Sequence, residues 1–346
     1  MSSDRPARAT LETVARELGL STATVSNAYN RPDQLSAATR QRVLEAAARL
    51  GYPGPHPVAA TLRRGRIGAL AWVFEDPISY VLHDPAAVAF LRGLGEACEE
   101  AGVALTLVPG AGPDADPLRT ALADGFVWDS DLDGGARLEA LAVGGRPLVI
   151  VDGPPRTGAG HVGIDDHEGA RLAAGHLLGL GHRRIAVVAL RAAPGVDGPL
   201  TGEPAYRTTR RRLDGYRAAG LDPGAGVWAC AENTPEAGAR AAGALLDRDD
   251  PALRPTAILA MSDQFALGVM AAAATRRIRV PAGLSVVGFD DIPEAAGAGL
   301  TTIHQPHQAK GAAAVRLLLD PAGVAGQAIQ LPVQRVLRAS TAPPPA

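Results

Sequence analysis

The sequence predicts an α/β protein in two parts: a small N-terminal unit of three helices, then a core of doubly wound parallel sheets arranged as two halves. Three observations carry this reading. Residues 10–51 repeat apolar side chains at helical spacing and are punctuated by glycine. From Ile67 onward, strand-like apolar runs alternate with helical patterns, the order expected of doubly wound sheets. Between them, residues 52–66 (YPGPHPVAATLRRGR) hold prolines and glycines that break both periods, as a linker does. At 346 residues the chain also exceeds one compact core.

The first helix is expected from Thr10 to about Leu18, with Leu11, Val14, Ala15 and Leu18 on one face. Gly19 stops it, because glycine enters the left-handed conformation without steric cost. Ser21 is placed to cap a second helix reaching about Tyr29, and Ser36 a third. The third buries Val43, Leu44, Ala47 and Leu50 and stops at Gly51. In the linker, Val58–Arg64 has room for one or two helical turns, too few to be stable without a partner. Core strands are expected at Ile67–Phe74, Val103–Val108, Gly125–Trp128, Leu148–Asp152, Ile185–Leu190, Val227–Ala231, Ala257–Met261 and Ser285–Phe289. Helices are expected around Pro85–Ala101, Glu168–Leu180, Pro235–Leu246, Gln264–Arg276 and Gln308–Leu319. No repeat period occurs, and the tail STAPPPA reads as disordered.

Charge is uneven. Residues 1–66 hold ten arginines against five acids, net +5, whereas the remainder carries −7. A basic head on an acidic body points to a polyanionic partner for the head alone. Lys310 is the only lysine; arginine otherwise supplies the positive charge and suits phosphate and base-edge contacts. Cys98 and Cys230 fall in helical and strand-like apolar patterns and imply no disulfide framework. The start, MSSDRPARAT, lacks an apolar signal segment, and no run of about 18 apolar residues occurs, so a cytoplasmic protein without a membrane span is expected.

A helix, a glycine-containing turn and a second helix, TLETVARELGLSTATVSNAYN (10–30), are the parts of a helix-turn-helix. The second helix presents Thr22, Ala23, Ser26 and Asn27 on one side, while Val25 and Ala28 face the first helix. Ser21, Thr22 and Thr24 sit at its N-terminus, where free backbone N–H groups can hold a phosphate. Thr10 and Asn30 complete the candidate DNA-contacting set. A three-helix bundle without a DNA role would share the pattern.

The run ATLETVARELGLSTATVSNAYNRPDQLSAATRQRVLEAAARLGY closely resembles the head of LacI-type transcription regulators. The resemblance implies that Thr22, Ala23 and Asn27 read base edges. The family often has Arg where this chain has Asn27, and Asn pairs with adenine rather than guanine. Val58–Leu62 resembles the family's hinge helix, which implies that Leu62 wedges into the minor groove with Ala59 beside it. A plain flexible linker is the alternative. Further on, FLRGL (90–94), VGIDDHEGARLAAGHLLGLGHRRIAVV (162–188), RLDGY (212–216), MSDQFALGVM (261–270), VPAGLSVVGFDD (280–291), LTTIHQP (300–306) and RASTAPP (338–344) resemble the family's periplasmic-binding-protein-like core. The implied layout is a head at 1–55, a hinge at 56–65, a core at 66–340 and a tail at 341–346. Within the core, 66–160 and 304–322 are assigned to one subdomain, 161–303 and 323–340 to the other.

Ligands of such cores lie outside the carboxyl ends of parallel strands. Asp290 follows the strand ending at Phe289, Asp152 ends another, and Arg212 opens RLDGY after a loop. A carboxylate and a guanidinium together can grip hydroxyls. The resemblance implies effector contact at Arg212, Asp290 and Asp152; for Asp152 a strand-end acid in a solvated turn is the alternative. Phe74, Asp76, Ser79 and Tyr80 are placed to line the opposite wall, and Ser262 matches a ligand-contacting position, with Asp263 expected to cap its helix. Asn233 stands where relatives often carry a stacking aromatic ring, and the stretch from Val108 to Gly125 is short, so a helix there is trimmed. His304 and His307 read as surface residues of the crossover.

The expectation is a homodimeric repressor that binds a pseudo-palindromic double-stranded operator and is controlled by a small polar effector, sugar-like or nucleoside-like. No cofactor or metal is expected. Two rivals remain. A dinucleotide enzyme would need G-x-G-x-x-G after a strand, and GAGPDA (110–115) lacks the third glycine. A transport binding protein would need a signal segment and would not carry residues 10–51.

Overall fold

The computed structural model describes residues 9–54, 65–110, 116–129, 135–193, 195–222, 224–320 and 322–345. Contacts divide the chain into two compact units, Met1–Ile67 and Gly68–Ala346. The expected hinge, with Ala59 and Leu62, lies outside the described residues.

The first unit has helices α1 (Leu11–Leu18), α2 (Thr22–Asn30) and α3 (Ala37–Leu50), with one 3₁₀ turn at Pro32–Gln34. Each helix starts on a hydroxyl cap: Thr10, Ser21 and Ser36 accept from the backbone N–H three residues on. Gly19 and Gly51 close α1 and α3 at φ +64° and +68°. Val14, Ala15, Val25, Ala28, Val43, Ala46 and Ala47 form the core. Ala46 completes the buried face of α3, whereas Leu44 and Leu50 are half-buried. Tyr52 closes the unit edge-on against Tyr29, centroids 6.1 Å apart.

The second unit contains β1 (Ala69–Phe74), α4 (Ile78–Val81), α5 (Pro85–Ala101), β2 (Ala104–Val108), β3 (Gly125–Asp129), α6 (Gly135–Val143), β4 (Leu148–Val151), β5 (Gly160–Ile164) and α7 (Asp166–Gly179). It continues through β6 (Ile185–Ala189), β7 (Gly198–Pro199), α8 (Arg207–Ala218), β8 (Val227–Ala229), α9 (Pro235–Leu246), β9 (Ala257–Ala260), α10 (Asp263–Thr275) and β10 (Ser285–Val287). It ends with α11 (Pro293–Gly297), β11 (Thr302–His304), α12 (His307–Leu318), β12 (Ala328–Leu331) and β13 (Gln334–Val336). One sheet, β12-β5-β4-β3-β1-β2, is parallel throughout. The other, β10-β9-β6-β8-β7, is parallel except at β7. The antiparallel pair β11-β13 lies where the chain passes between them. Each sheet has a separate apolar layer on either face.

The helix pairs covering the sheets approach at backbone distance. A Cβ at Gly93 of α5 would stand 1.9 Å from the carbonyl oxygen of Gln308 in α12, so only glycine fits.

Several expectations are corrected. Strand β5 and strand β12 belong to the first sheet, so the assignment of 161–303 and 323–340 to the second subdomain fails at 161–164 and 328–331. Neither strand is the long apolar run that marks a buried strand: β5 reads GHVGI, and β12 alternates as an edge. Arg212 does not follow a loop but sits mid-way along α8, which buries Thr209, Arg212 and Gly215 beside Leu213 and Tyr216. That face lacks the aliphatic stripe by which a helix is recognised. The tail is anchored, not free, through Ala342: Ser340 is buried and bonds Val286 O and Thr301 N, and buried His182 meets the carbonyl of Ala342 at 2.8 Å. The short stretch after β2 has, among the described residues, only a 3₁₀ turn at Pro117–Thr120.

Candidate functional site

In the first unit, the groups predicted to meet DNA lie on and beside α2. Thr22 and Ala23 are exposed on its first turn, with Ser26 and Asn27 one turn on and half-buried. Val25 and Ala28 on the opposite side are fully buried, which fixes the rotation of the helix. Ser21 Oγ accepts from Thr24 N at 3.1 Å and lies 2.9 Å from Thr24 Oγ1, so both hydroxyls serve the cap. Thr10 likewise caps α1. Asn30 Nδ2 donates to Ser26 O at 3.0 Å. Asn27 Nδ2 reaches Gln34 Oε1 at 3.3 Å, which adds Gln34 of the 3₁₀ turn, absent from the sequence-based set, to this surface.

In the second unit, a cavity of about 290 Å³ opens between the two sheets at the carboxyl ends of their strands. Asp76 follows β1, Asp129 ends β3, Asp152 follows β4, Arg191 follows β6 and Ser262 follows β9. Asp166 comes from α7, Arg212 from α8 and Lys310 from α12. Asp152 (φ 56°) and Asp290 (φ 125°) are held in left-handed backbone that disfavours side chains, a strain typical of ligand clamps.

Each cation of the cleft has an acidic partner. Arg191 Nη2 donates to Asp76 Oδ1 at 2.6 Å, joining the lobes. Arg212 donates through Nε to Asp166 Oδ1 at 2.9 Å and through Nη1 to Met261 O, with its plane on the Phe289 ring, 3.6 Å from the centroid. Its Nη2 makes no hydrogen bond among the described residues. Lys310 donates to Asp152 Oδ2 and to Gln305 Oε1. Asp84, Asp129 and Asp290 have no lysine or arginine within 4.0 Å among the described residues. Burial, with repulsion from Asp152, pushes the Asp129 carboxyl up to about 7. Burial pushes Asp290 up to about 6, although Arg212 pulls it back. Burial, then Lys310, drives His307 down to about 3, so the ring is neutral.

Of the expected effector-contacting residues, Asp76, Tyr80, Asp152, Arg212, Asn233, Ser262 and Asp290 all line this cavity. Phe74 does not. It ends β1 inside the core, its ring 4.7 Å from that of Trp72, because strand alternation turns it away from the cleft. Ser79 faces a neighbouring hollow with Tyr80 and His83. Ser262, not Asp263, caps α10; Asp263 turns inward to Ile292 N and Thr302 Oγ1. His307 is not a surface residue but lines the cavity 3.6 Å from Asp290. Asn233 replaces the stacking ring with polar bonds to Tyr80, Asp84 and Ser262. Half-buried Tyr206 brings an aromatic ring from another loop. Sequence reasoning missed Asp84, Asp129, Asp166, Arg191, Gln305, His307 and Lys310 as lining groups.

Residues 10–54 match the family model for bacterial regulatory proteins, lacI family. Along nearly the whole chain, the HTH-type transcriptional regulator Rv3575c of Mycobacterium tuberculosis is 40% identical over 355 residues, 98% of each chain. This chain belongs to the LacI family. Residues 174–341 match a periplasmic binding protein-like domain. The regulator IpsA of Corynebacterium glutamicum is 36% identical over 90% of each chain. The crystal structure of the lac repressor dimer bound to operator and the anti-inducer ONPF superposes with a TM-score of 0.76 at 27% identity, covering 97% of this chain and 100% of that one. The CelR–cellobiose complex gives 0.67 at 28% identity, covering 96% and 100%. As a LacI-family member the chain is a DNA-binding transcriptional regulator with an effector-binding core, and its relatives are named as regulators, not enzymes.

Proposed function

We propose that this regulator is a repressor that acts as a homodimer on a pseudo-palindromic operator and is released by a small polar effector, sugar-like or nucleoside-like, bound in the cleft. The observation that carries the effector reading is the convergence of Arg212, Asp290 and Asp152 on one cavity, with the guanidinium keeping one unused edge. One α2 from each copy enters the major groove, with Thr22, Ala23 and Asn27 toward base edges and the cap at Ser21 and Thr24 toward a phosphate. Ala59 and Leu62 meet the minor groove. Effector and operator favour different arrangements of the two lobes, so each lowers affinity for the other. The operator-bound lac repressor dimer and the cellobiose complex of CelR support this reading by analogy. The test is fluorescence anisotropy of duplexes drawn from upstream of the protein's own gene, titrated with protein and then with sugars and nucleosides. Specific binding relieved by one compound is expected; equal affinity for palindromic and random duplexes at low salt would overturn the proposal.

A further inference from the structure

We infer that the cleft selects its effector by charge, taking an uncharged polyhydroxylated molecule and rejecting the phosphate ester of that same molecule. This rests on the effector reading above and narrows it.

Six aspartates line the cavity (Asp76, Asp84, Asp129, Asp152, Asp166 and Asp290) against Arg191, Arg212 and Lys310. Each cation is held by one acid: Arg191 by Asp76, Arg212 by Asp166 and Lys310 by Asp152. The other three aspartates come from separate elements and, among the described residues, receive neutral donors: Asp84 from Ala86 N and Asn233 Nδ2, Asp129 from Trp72 Nε1, and Asp290 from Gln305 Nε2 and the backbone of Asp263. Above pH 7, where Asp129 and Asp290 are ionised, an entering phosphate would meet three carboxylates without a lysine or arginine in ion-pair contact, and each cation lining the cavity already held by an acid. Like charges facing one another across a desolvated site are strongly unfavourable.

The unsatisfied atoms of the cavity point to hydroxyls. Asp152 Oδ1 and His307 Nε2 are buried without a hydrogen bond among the described residues. Asp290, whose side chain is 8% exposed, accepts from Gln305 at Oδ1 and presents its carboxyl to the same cavity. Arg212, 5% exposed, leaves Nη2 open. The carboxylate oxygens accept and the guanidinium donates, and a hydroxyl does both. A ring bearing several hydroxyls satisfies the whole set. A phosphate dianion only accepts, so it leaves the carboxylate oxygens unsatisfied.

The test is isothermal titration of the full-length protein at pH 8, where Asp129 and Asp290 are ionised, with glucose, ribose, inositol and cellobiose, each beside its phosphate monoester, and with glucosamine. A neutral polyol is expected to bind, its ester about a hundredfold more weakly, and Asp84→Asn and Asp129→Asn are each expected to narrow that gap by about tenfold. An ester that binds as tightly as its parent overturns charge selection and leaves the effector reading standing. A gap unchanged in both variants, each folded by circular dichroism, also overturns it. No binding by any compound, neutral, aminated or phosphorylated, overturns the effector reading and this inference together.

Discussion

Replacing Asp129 by asparagine tests the electrostatics of the cleft floor directly. In the folded protein the carboxyl rises from 3.8 to about 7, chiefly through burial and then through Asp152. A raised carboxyl means that the folded state keeps a proton that the unfolded chain has already lost. Its favourable contribution is therefore complete below pH 4 and is lost as pH climbs through about 7. With these two values, linkage gives a loss of about 3 kcal/mol between pH 5 and pH 8. Asparagine keeps an acceptor for Trp72 Nε1, now at 3.2 Å from the carboxylate, and does not titrate. Relative to the wild type, Asp129→Asn should thus gain about 3 kcal/mol between pH 5 and pH 8. Urea titration followed by tryptophan emission reads this cleanly, because Trp72, Trp128 and Trp228 all lie in the second unit. A difference between variant and wild type that is the same at both pH values, or that moves against the variant at pH 8, would refute the reasoning.

Three further outcomes are expected. Arg212→Ala should abolish the effector response while leaving operator affinity within about twofold; calorimetry showing normal effector affinity in this variant would misplace the pocket. Gly93→Ala adds a methyl where Gln308 O stands 1.9 Å away, so it should destabilise the second unit by about 1–3 kcal/mol, against the small gain alanine usually brings to a helix; an unchanged urea midpoint would contradict the close helix packing. Ser21→Ala removes the cap of α2 and should cost the first unit about 1 kcal/mol in a circular-dichroism melt, with weaker DNA binding, whereas an unshifted melt would show the cap to be idle.

Where physics was local, the sequence was readable. Helices at Pro85–Ala101 and Pro235–Leu246 were delimited to the residue, because a proline opens each and an apolar stripe runs to the end. The caps at Ser21 and Ser36 and the stops at Gly19 and Gly51 followed from side-chain chemistry alone. Legibility failed where tertiary contacts replaced hydrophobic pattern. Helix α8 buries Thr209, Arg212 and Gly215 beside a single leucine and a tyrosine, so no aliphatic stripe marked it and Arg212 was placed after a loop. The tail STAPPPA has the composition of a free end, yet Ser340 and Ala342 are tied to Val286, Thr301 and His182. In the cleft, acids at strand ends were visible, but His307 and Lys310 reach it from a distant crossover helix. The available signal was rarity: one lysine in a chain whose other 33 basic residues are arginine.

That rarity has a practical edge. Position 310 bears the only side-chain amine in the sequence, and it is 3% accessible, clamped by Asp152 and Gln305. An acylating reagent therefore finds no lysine to modify on the outer surface. Mass gained at this position, followed over time by spectrometry, would count the moments when the jaws part, with no engineered label.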